Sequence, residues 1–128
     1  MTTTLVLDNA DGVPLVRAVR ADAVLVGDRE RRASFALWAE GVIEDWPVAA
    51  AAGLAAEHLD ALLETGAEVI LLGTGATRVE LPPALMVRPL ARGVGLEVMA
   101  NDAAARTYNL LVSEGRRVLV AFVLPGRD

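Results

Sequence analysis

The chain has 128 residues, with 12 basic and 17 acidic side chains, one histidine and no cysteine. This length suffices for one domain that buries about two-thirds of its unfolded surface. Without cysteine the chain has no disulfide framework, thiolate zinc site or cysteine nucleophile, and one histidine leaves carboxylate-rich sites as the remaining metal option. The net charge of −5 and pI near 4.8 argue against nucleic-acid binding, which needs clustered basic charge.

The N-terminal segment MTTTLVLDNADG lacks the basic start and sustained apolar core of a signal peptide. The apolar run 48–56 is far shorter than the roughly twenty residues that span a bilayer. These features predict a cytoplasmic protein with no transmembrane segment. All 12 basic residues are arginines, which is typical of a GC-rich bacterial genome.

Alternating apolar residues in the first third of the chain predict strands. One such run is 13–19, and two more, 23–26 and 34–38, flank the charged segment GDRERR. We expect the flanking runs to pair as a hairpin with a charged tip. The tip arginines, Arg29, Arg31 and Arg32, are open to two interpretations, a docking patch or a solvated turn. Glu30 among them favours the solvated turn.

A short strand is predicted between Trp38 and Trp46, and Pro47 ends its pairing. Both tryptophans are interpreted as packing residues in preference to ligand platforms. The segment 54–64 then places leucines on one side of a helix and charged residues on the other, and Gly66 ends it. His58 lies on the charged side, where a solvated histidine is favoured over a catalytic one.

The run Val69–Leu72 is fully apolar, as expected of a strand covered on both faces. The loop Gly73-Thr74-Gly75 follows it and is of the kind that brings backbone N–H groups close to a ligand. It lacks the third glycine of a dinucleotide fingerprint and the lysine of a P-loop, so it indicates no nucleotide class. Pro82-Pro83 begin a helix predicted to reach about Arg92, with Pro89 kinking or splitting it.

The stretch from Gly93 to Pro125 is predicted to form a strand, a capped helix and a second strand. Alternation over 94–99 indicates the first strand, and Asn101 stands where a helix N-cap belongs. In helix 102–114 the packed face is predicted to hold Ala104, Tyr108, Leu111 and Val112, and the wet face Asp102, Arg106, Asn109 and Ser113. Gly115 ends the helix, and the apolar run 118–124 predicts a central strand.

The segments EVILLGTGATRVELP and EVMANDAAARTYNLLVSEGRRV resemble the paired signature of a small α/β domain family. That family includes the mitochondrial respiratory complex I assembly factor of the third kind and bacterial and archaeal single-domain proteins. The resemblance is weak from about Asp22 and strong from Glu68 onward. The matching residues are Gly73, Gly75, Glu97, Met99, Ala103, Ala104, Arg106, Thr107, Tyr108, Asn109, Glu114, Gly115 and Arg116.

Two departures from the family pattern bear on function. Ala100 and Asn101 stand where the family usually has Asp-Thr, which keeps a capping residue. Ala105 stands where a cysteine often precedes the arginine, so the motif offers no thiol chemistry here.

We predict a single α/β domain over residues 1–128, in three layers. The resemblance implies a mixed central sheet flanked by helices, with an N-terminal β-hairpin as an extra layer. The apolar runs place strands 69–72, 94–99 and 118–124 in the sheet interior. Because 69–99 forms a strand–helix–strand crossover unit, its two strands should be parallel.

This crossover places the glycine loop and the start of helix 102–114 at one carboxyl edge of the sheet, where open α/β folds hold ligands. Arginine side chains and helix-end N–H groups could converge there on a small anion. The candidate ligand-binding residues are Gly73, Thr74, Gly75, Arg78, Asn101, Arg106 and Thr107. Structural alternatives stay open: Asn101 as a cap, Arg106 as a partner of Asp102 or as a buried structural arginine, and Thr107 as a packing residue.

Two functions follow as hypotheses. The resemblance implies a non-catalytic assembly-factor or chaperone-like interaction module with protein partners, and the chain offers no nucleophile–base–orienter set that would speak for an enzyme. The alternative is a small-anion or small-metabolite binding protein, or an enzyme, that uses the crevice. The residues predict no catalytic group, metal ligand or cofactor, and they favour a protein that is not an enzyme while leaving that question open.

Overall fold

A mixed five-stranded sheet lies at the centre of the fold in the computed structural model, which describes residues 12–126. In spatial order its strands are Gly41–Ile43 (β5), Phe35–Trp38 (β4), Val118–Phe122 (β8), Val69–Gly73 (β6) and Gly95–Met99 (β7). β8 runs parallel to β6 and antiparallel to β4. The predicted central place of the last strand is therefore confirmed.

Three helices cover the two faces of this sheet: Ala56–Leu63 (α1), Pro83–Ala91 (α2) and Asn101–Ser113 (α3). Successive residues of a strand point to opposite faces, and β8 shows this alternation clearly. Val120 and Phe122 pack with Tyr108 of α3. Leu119 and Ala121 pack with the leucines of α1. Both faces of β8 are thus buried, as its uninterrupted apolar sequence indicates.

The extra N-terminal layer is an antiparallel sheet of Val16–Val19 (β1), Val24–Val26 (β2) and Arg29–Arg31 (β3). The predicted hairpin partner is wrong, because β2 pairs with β3, the segment expected at the charged tip. Gly27, with a φ of 57°, permits a tight turn between them. The expected partner, β4, joins the central sheet, where Phe35 and Leu37 are buried.

The crossover β6–α2–β7 has the predicted parallel pairing, in register from Val69 with Gly95 to Gly73 with Met99. However, β7 is an edge strand, and its predicted place in the sheet interior is wrong. The chain turns back after α3 and inserts β8 on the other side of β6. Gly95 and Glu97 are accordingly exposed.

Helix α2 runs without a break through Pro89, so the expected split into two turns is wrong. Pro89 lies in the last turn, where its carbonyl accepts the N–H groups of Arg92 at 3.0 Å and Val94 at 2.9 Å. The proline thus closes the helix end, and Gly93, with a φ of 73°, turns the chain toward β7.

No helix within residues 12–126 is long and apolar enough to cross a membrane. The signal-peptide interpretation concerns residues 1–11, which lie outside the described part of the chain. The extent of the domain over residues 1–128 stays a prediction.

Phe122→Ala should lower the free energy of unfolding by about 3–5 kcal/mol, because the ring is fully buried and packs on Phe35 with centroids 5.3 Å apart. Leu111→Ala should cost about 2 kcal/mol, the low end of the range for such truncations, since Leu111 is half-buried. Leu110→Ala is the control, because that neighbouring side chain is 59% exposed. Urea denaturation measures all three, and an unchanged midpoint for Phe122→Ala would contradict the assigned core.

Candidate functional site

The glycine loop and the start of α3 meet at the carboxyl edge of the sheet, as the crossover geometry predicts. Thr74 N–H donates to Met99 O at 2.9 Å, and Asn101 N–H donates to Gly75 O at 2.8 Å. The loop after β6 is therefore hydrogen-bonded to the chain that leaves β7. This junction is the centre of the candidate site.

Asn101 is not the N-cap of α3, because Ala100 occupies that position and Asn101 is the first helical residue. Its amide lies inside the junction, with the residue 2% exposed. Oδ1 accepts the Gly75 N–H at 3.2 Å, and Nδ2 donates to Val123 O at 3.1 Å. The side chain thus joins the loop after β6 to the chain after β8. Asp102, in the first turn, accepts the N–H of Ala103 at 2.8 Å instead.

Gly73 is required by this amide. A Cβ added at Gly73 would collide with Asn101 Oδ1 and come within 3.2 Å of its Cα. Gly75 has a different reason, since its φ of 119° is one that side chains with a Cβ rarely adopt. The two glycines of the loop therefore serve the packing of Asn101 and the turn that follows.

Thr74 organises the segment that leaves the loop. Its Oγ1 accepts Val79 N–H at 2.9 Å and donates to Thr77 O at 2.9 Å. The hydroxyl is buried, and both of its roles are filled within residues 74–79. Thr74 is thus a local turn-forming residue in this structure.

The side chains of the remaining candidates bind other groups of the protein. Arg78 donates from Nε to Val98 O at 3.0 Å and pairs with Glu80 at 2.8 Å. Arg106 lies 3.6 Å from Asp102 one turn back along α3, and its side chain is 73% exposed. The interpretation of Arg106 as a buried structural arginine is therefore wrong. Thr107 donates to Ala103 O at 2.9 Å within α3 and contacts Met99 Sδ at 3.7 Å.

A cavity of about 350 Å³ adjoins the junction. Thr74 and Gly75 contribute to its wall, while most of the rest is alanine from the 49–52 segment together with Val123 and Pro125. Arg78, Asn101, Arg106 and Thr107 do not line it. The structure therefore brings four predicted residues together, Gly73, Thr74, Gly75 and Asn101, while neither predicted arginine lines the cavity beside them.

Two buried or half-buried polar side chains that the sequence did not single out also fix this architecture. Ser34 Oγ accepts the N–H of Leu124 at 2.8 Å and donates to Val48 O at 2.5 Å. Asn109, predicted on the wet face of α3, instead binds both backbone groups of Val16, at 2.9 Å and 2.8 Å. The expected exposure of Asn109 is wrong because β1 lies against that side of α3.

The basic segment predicted at a solvated tip is instead a strand fixed by ion pairs. Arg31 forms two hydrogen bonds with Glu44, at 3.0 Å and 2.8 Å, and lies over the Phe35 ring with its side chain 12% exposed. The Arg31 guanidinium lowers the pKa of Glu44 by hydrogen bonding. Arg32 pairs with Asp22 at 3.0 Å. The solvated-turn interpretation fails for Arg31.

His58 has a structural role at the start of α1. Its Nδ1 accepts the N–H of Ala55 at 2.9 Å, and its carbonyl accepts the indole N–H of Trp46 at 3.2 Å. Trp46 is buried in the core, as predicted for a packing residue. Within residues 12–126 no group of three or more histidine, cysteine, aspartate or glutamate side chains could hold a metal ion.

Tyr108 is fully buried, as expected, and burial raises the pKa of its phenol. Its hydroxyl has no hydrogen-bond partner within the described part of the chain. The ring serves as core beneath the N-terminal sheet.

Helix α2 carries two large exposed apolar side chains three residues apart, on one face of the helix. Leu90 is 75% exposed and Val87 is 57% exposed. Arg88 joins α2 to α1 by donating to both carboxylate oxygens of Asp60, at 3.1 Å and 2.6 Å. These hydrogen bonds lower the pKa of the Asp60 carboxyl. The sequence analysis did not single out this surface. A signal was present, because segment 81–91 carries only one charged residue, Arg88, and a helix that is apolar on all sides is typically buried against other parts of a structure.

In a comparison with known protein families, residues 16–123 match the family described as "Protein of unknown function (DUF498/DUF598)". A solution structure from Xanthomonas campestris shares 40% identity and superimposes with a TM-score of 0.82, covering 90% of this chain and 87% of that one.

Two curated relatives carry informative names. The "13 kDa major membrane protein" of Francisella tularensis is 47% identical over 62 residues, 48% of this chain and 50% of the relative. The "NADH dehydrogenase [ubiquinone] 1 alpha subcomplex assembly factor 3" of Danio rerio is 34% identical over 85 residues, 65% of this chain and 49% of the relative. The matched part of this chain thus spans about half the length of these relatives.

Asn101→Ala should lower the free energy of unfolding by about 2–4 kcal/mol, because it leaves the Gly75 N–H and the Val123 carbonyl without their partner. Gly73→Ala should also destabilise the protein, but less so in an Asn101→Ala background, where the colliding amide is absent. Asp102→Asn is the control and should stay within about 0.5 kcal/mol. A double-mutant cycle by urea denaturation measures the coupling, and strict additivity would contradict this account of Gly73.

Proposed function

This chain belongs to the family of proteins of unknown function DUF498/DUF598, and we propose that it is a non-catalytic interaction module of the assembly-factor or chaperone-like kind. The observation that carries the proposal is the exposed apolar face of α2, formed by Val87 and Leu90. Large exposed apolar side chains grouped on one face are typical of protein contact sites. Two relatives named assembly factor 3 support the same function: the Danio rerio protein, and a Mus musculus protein that is 33% identical to this chain over 64 residues.

The geometry of the carboxyl edge adds to this support. The polar side chains of the predicted crevice, Asn101 and Thr74, already bind backbone groups of the protein. A ligand would have to displace these buried hydrogen bonds, and breaking each costs about 1–3 kcal/mol. The rigid junction instead anchors β6, β8 and α3 as a scaffold, with α2 on its outer surface.

The alternative proposal, a small-anion or small-metabolite site or enzyme at the glycine loop, draws support from the 350 Å³ cavity beside Thr74 and Gly75. Its size lies within the range of small-molecule sites. Small-anion binding, the absence of nucleic-acid binding and the cytoplasmic location stay predictions. The name of the Francisella tularensis relative, a membrane protein, makes the location worth measuring by fractionation.

The double variant Val87→Ser/Leu90→Ser should lose partner capture by at least about tenfold, because exposed apolar anchors dominate binding energy at protein contacts. Its free energy of unfolding should change little, since both side chains are more than half exposed. Leu110→Ser is the matched control, an exposed leucine on α3 across the sheet. Quantitative affinity capture from the native cell measures the effect, and equal capture by both variants would contradict the proposal.

Arg106→Ala separates the two proposals. On the interaction-module proposal it should change the free energy of unfolding by no more than about 0.5 kcal/mol and leave partner capture intact, because the ion pair with Asp102 is exposed. An anion site that uses Arg106 would instead lose about 1.5–3 kcal/mol of binding. Calorimetric titration with inorganic phosphate measures that binding, and Arg92→Ala is the surface control. A phosphate affinity that falls for Arg106→Ala alone would favour the alternative.

A further inference from the structure

Among the residues that the structure describes, the outer edge of β7 is the sheet edge with the weakest block. An unpaired strand edge presents backbone N–H and C=O groups that can pair with another chain, and proteins usually block such edges. Within residues 12–126 the two sheets have four edges, formed by β1, β3, β5 and β7. Each edge can be followed to what covers it.

Three of the four edges carry blocking groups. At β1 the Asn109 amide binds both the N–H and the C=O of Val16, in the manner of a neighbouring strand. Two ion pairs to Glu44 join the edge strand β3 to the end of β5. Arg31 forms one at 2.8 Å, and Arg29 forms the other at 3.6 Å. Charged side chains at an edge discourage strand addition.

The backbone of β7 divides between two sides. Gly95 N–H donates to Glu68 O at 3.0 Å, and Met99 O accepts from Thr74 at 2.9 Å, so the odd-numbered residues turn toward β6. Alternation along the strand then directs the backbone groups of Leu96 and Val98 outward. The contact from Arg78 Nε to Val98 O, at 3.0 Å, agrees with this assignment.

Arg78 is a weak block on this edge. It occupies one carbonyl through Nε, its side chain is 53% exposed, and its pairing with Glu80 at 2.8 Å uses a different nitrogen, so that ion pair does not depend on Val98 O. Releasing Val98 O therefore costs one exposed hydrogen bond. Helix α2 packs against the same strand.

We propose that β7 accepts an extended segment of another protein as an added strand, and that this segment alternates apolar and basic residues. The inference rests on the proposed interaction function and names its partner class. Leu96 and Val98 lie on the side of α2 with apolar neighbours, which calls for apolar residues on that side of the added strand. Glu97 points to the opposite face, is exposed and has no ion pair within the described residues, so a basic residue fits beside it.

A second copy of this chain does not fit the edge. β7 has five residues, Gly95–Met99, with Glu97 at its centre. A two-fold antiparallel pairing about that centre would face Glu97 with its own copy, and like charges directly opposite each other are destabilising. The charge at the centre of the strand therefore favours a basic segment from a different protein.

Peptide titration of the full-length protein tests the proposal. The probes are a seven-residue peptide of alternating valine and lysine, the same peptide with glutamate for lysine, and an N-methylated lysine version that cannot pair along one edge. With ¹⁵N-labelled protein, the lysine peptide should shift the Leu96 and Val98 amide resonances and slow their hydrogen exchange. It should bind at least about tenfold more tightly than the other two peptides.

Two variants make the test specific. Glu97→Lys should reverse the preference to the glutamate peptide, while Glu114→Lys, at an exposed acid elsewhere, should keep the wild-type preference. Arg78→Ala should bind the lysine peptide about threefold to tenfold more tightly, because it frees the Val98 carbonyl.

Shifts centred elsewhere, equal binding of both charged peptides, an unchanged preference in Glu97→Lys, or a wild-type dimer paired through β7 in sedimentation would each overturn the inference. If the Val87→Ser/Leu90→Ser variant loses its partner while the peptides fail, this inference falls and the interaction function stands. If the peptides bind as expected while that variant keeps its partner, the role of α2 falls and the role of β7 stands.

Discussion

The buried amide of Asn101 is the contact on which the arrangement of this domain depends. Its side chain accepts the N–H of Gly75 in the loop after β6 and donates to the carbonyl of Val123 after β8. Asn101 is also the first residue of α3, and its backbone N–H binds Gly75 O. An asparagine buried in this way is retained only if both ends of its amide are satisfied, because an unpaired polar group in the interior is costly. Position 73 requires a glycine, because a Cβ there would collide with that amide.

This junction changes the meaning of a motif that resembles a ligand loop. A glycine loop after a strand that meets a helix start at the same sheet edge resembles an anion site, where backbone N–H groups face a bound phosphate. Here Gly75 N–H faces Asn101, and Thr74 N–H faces Met99 O. The donors that would bind an anion are used to hold the protein together. The same residue pattern therefore supports a scaffold, and the partner surfaces that we propose lie on α2 and β7.

The position of β7 follows from how the other strands of the central sheet pair. β7 pairs with one side of β6 through the parallel crossover, and β8 pairs with the other side of β6. β4 closes the other side of β8, which leaves β7 at the margin beside α2. A strand at the margin has one satisfied and one open side, and its alternation of apolar residues with Glu97 matches that half-exposed environment.

Hydrophobic periodicity in the sequence determined the strands β6, β7 and β8 and the amphipathic helices α1 and α3. The rule for crossover connections then determined that the glycine loop meets the start of α3. Both are local rules, which a sequence pattern can satisfy by itself. The pairing of β2 with β3, the edge position of β7, the inward turn of the Asn101 amide and the bonds from Asn109 to Val16 were decided by tertiary structure. Local pattern assigns Asn101 to a helix cap and Asn109 to solvent, because a short polar residue satisfies either local role well. In the structure Asn101 binds Val123, 22 positions along the chain, and Asn109 binds Val16, 93 positions along the chain. No local pattern carries the information that selects such distant partners.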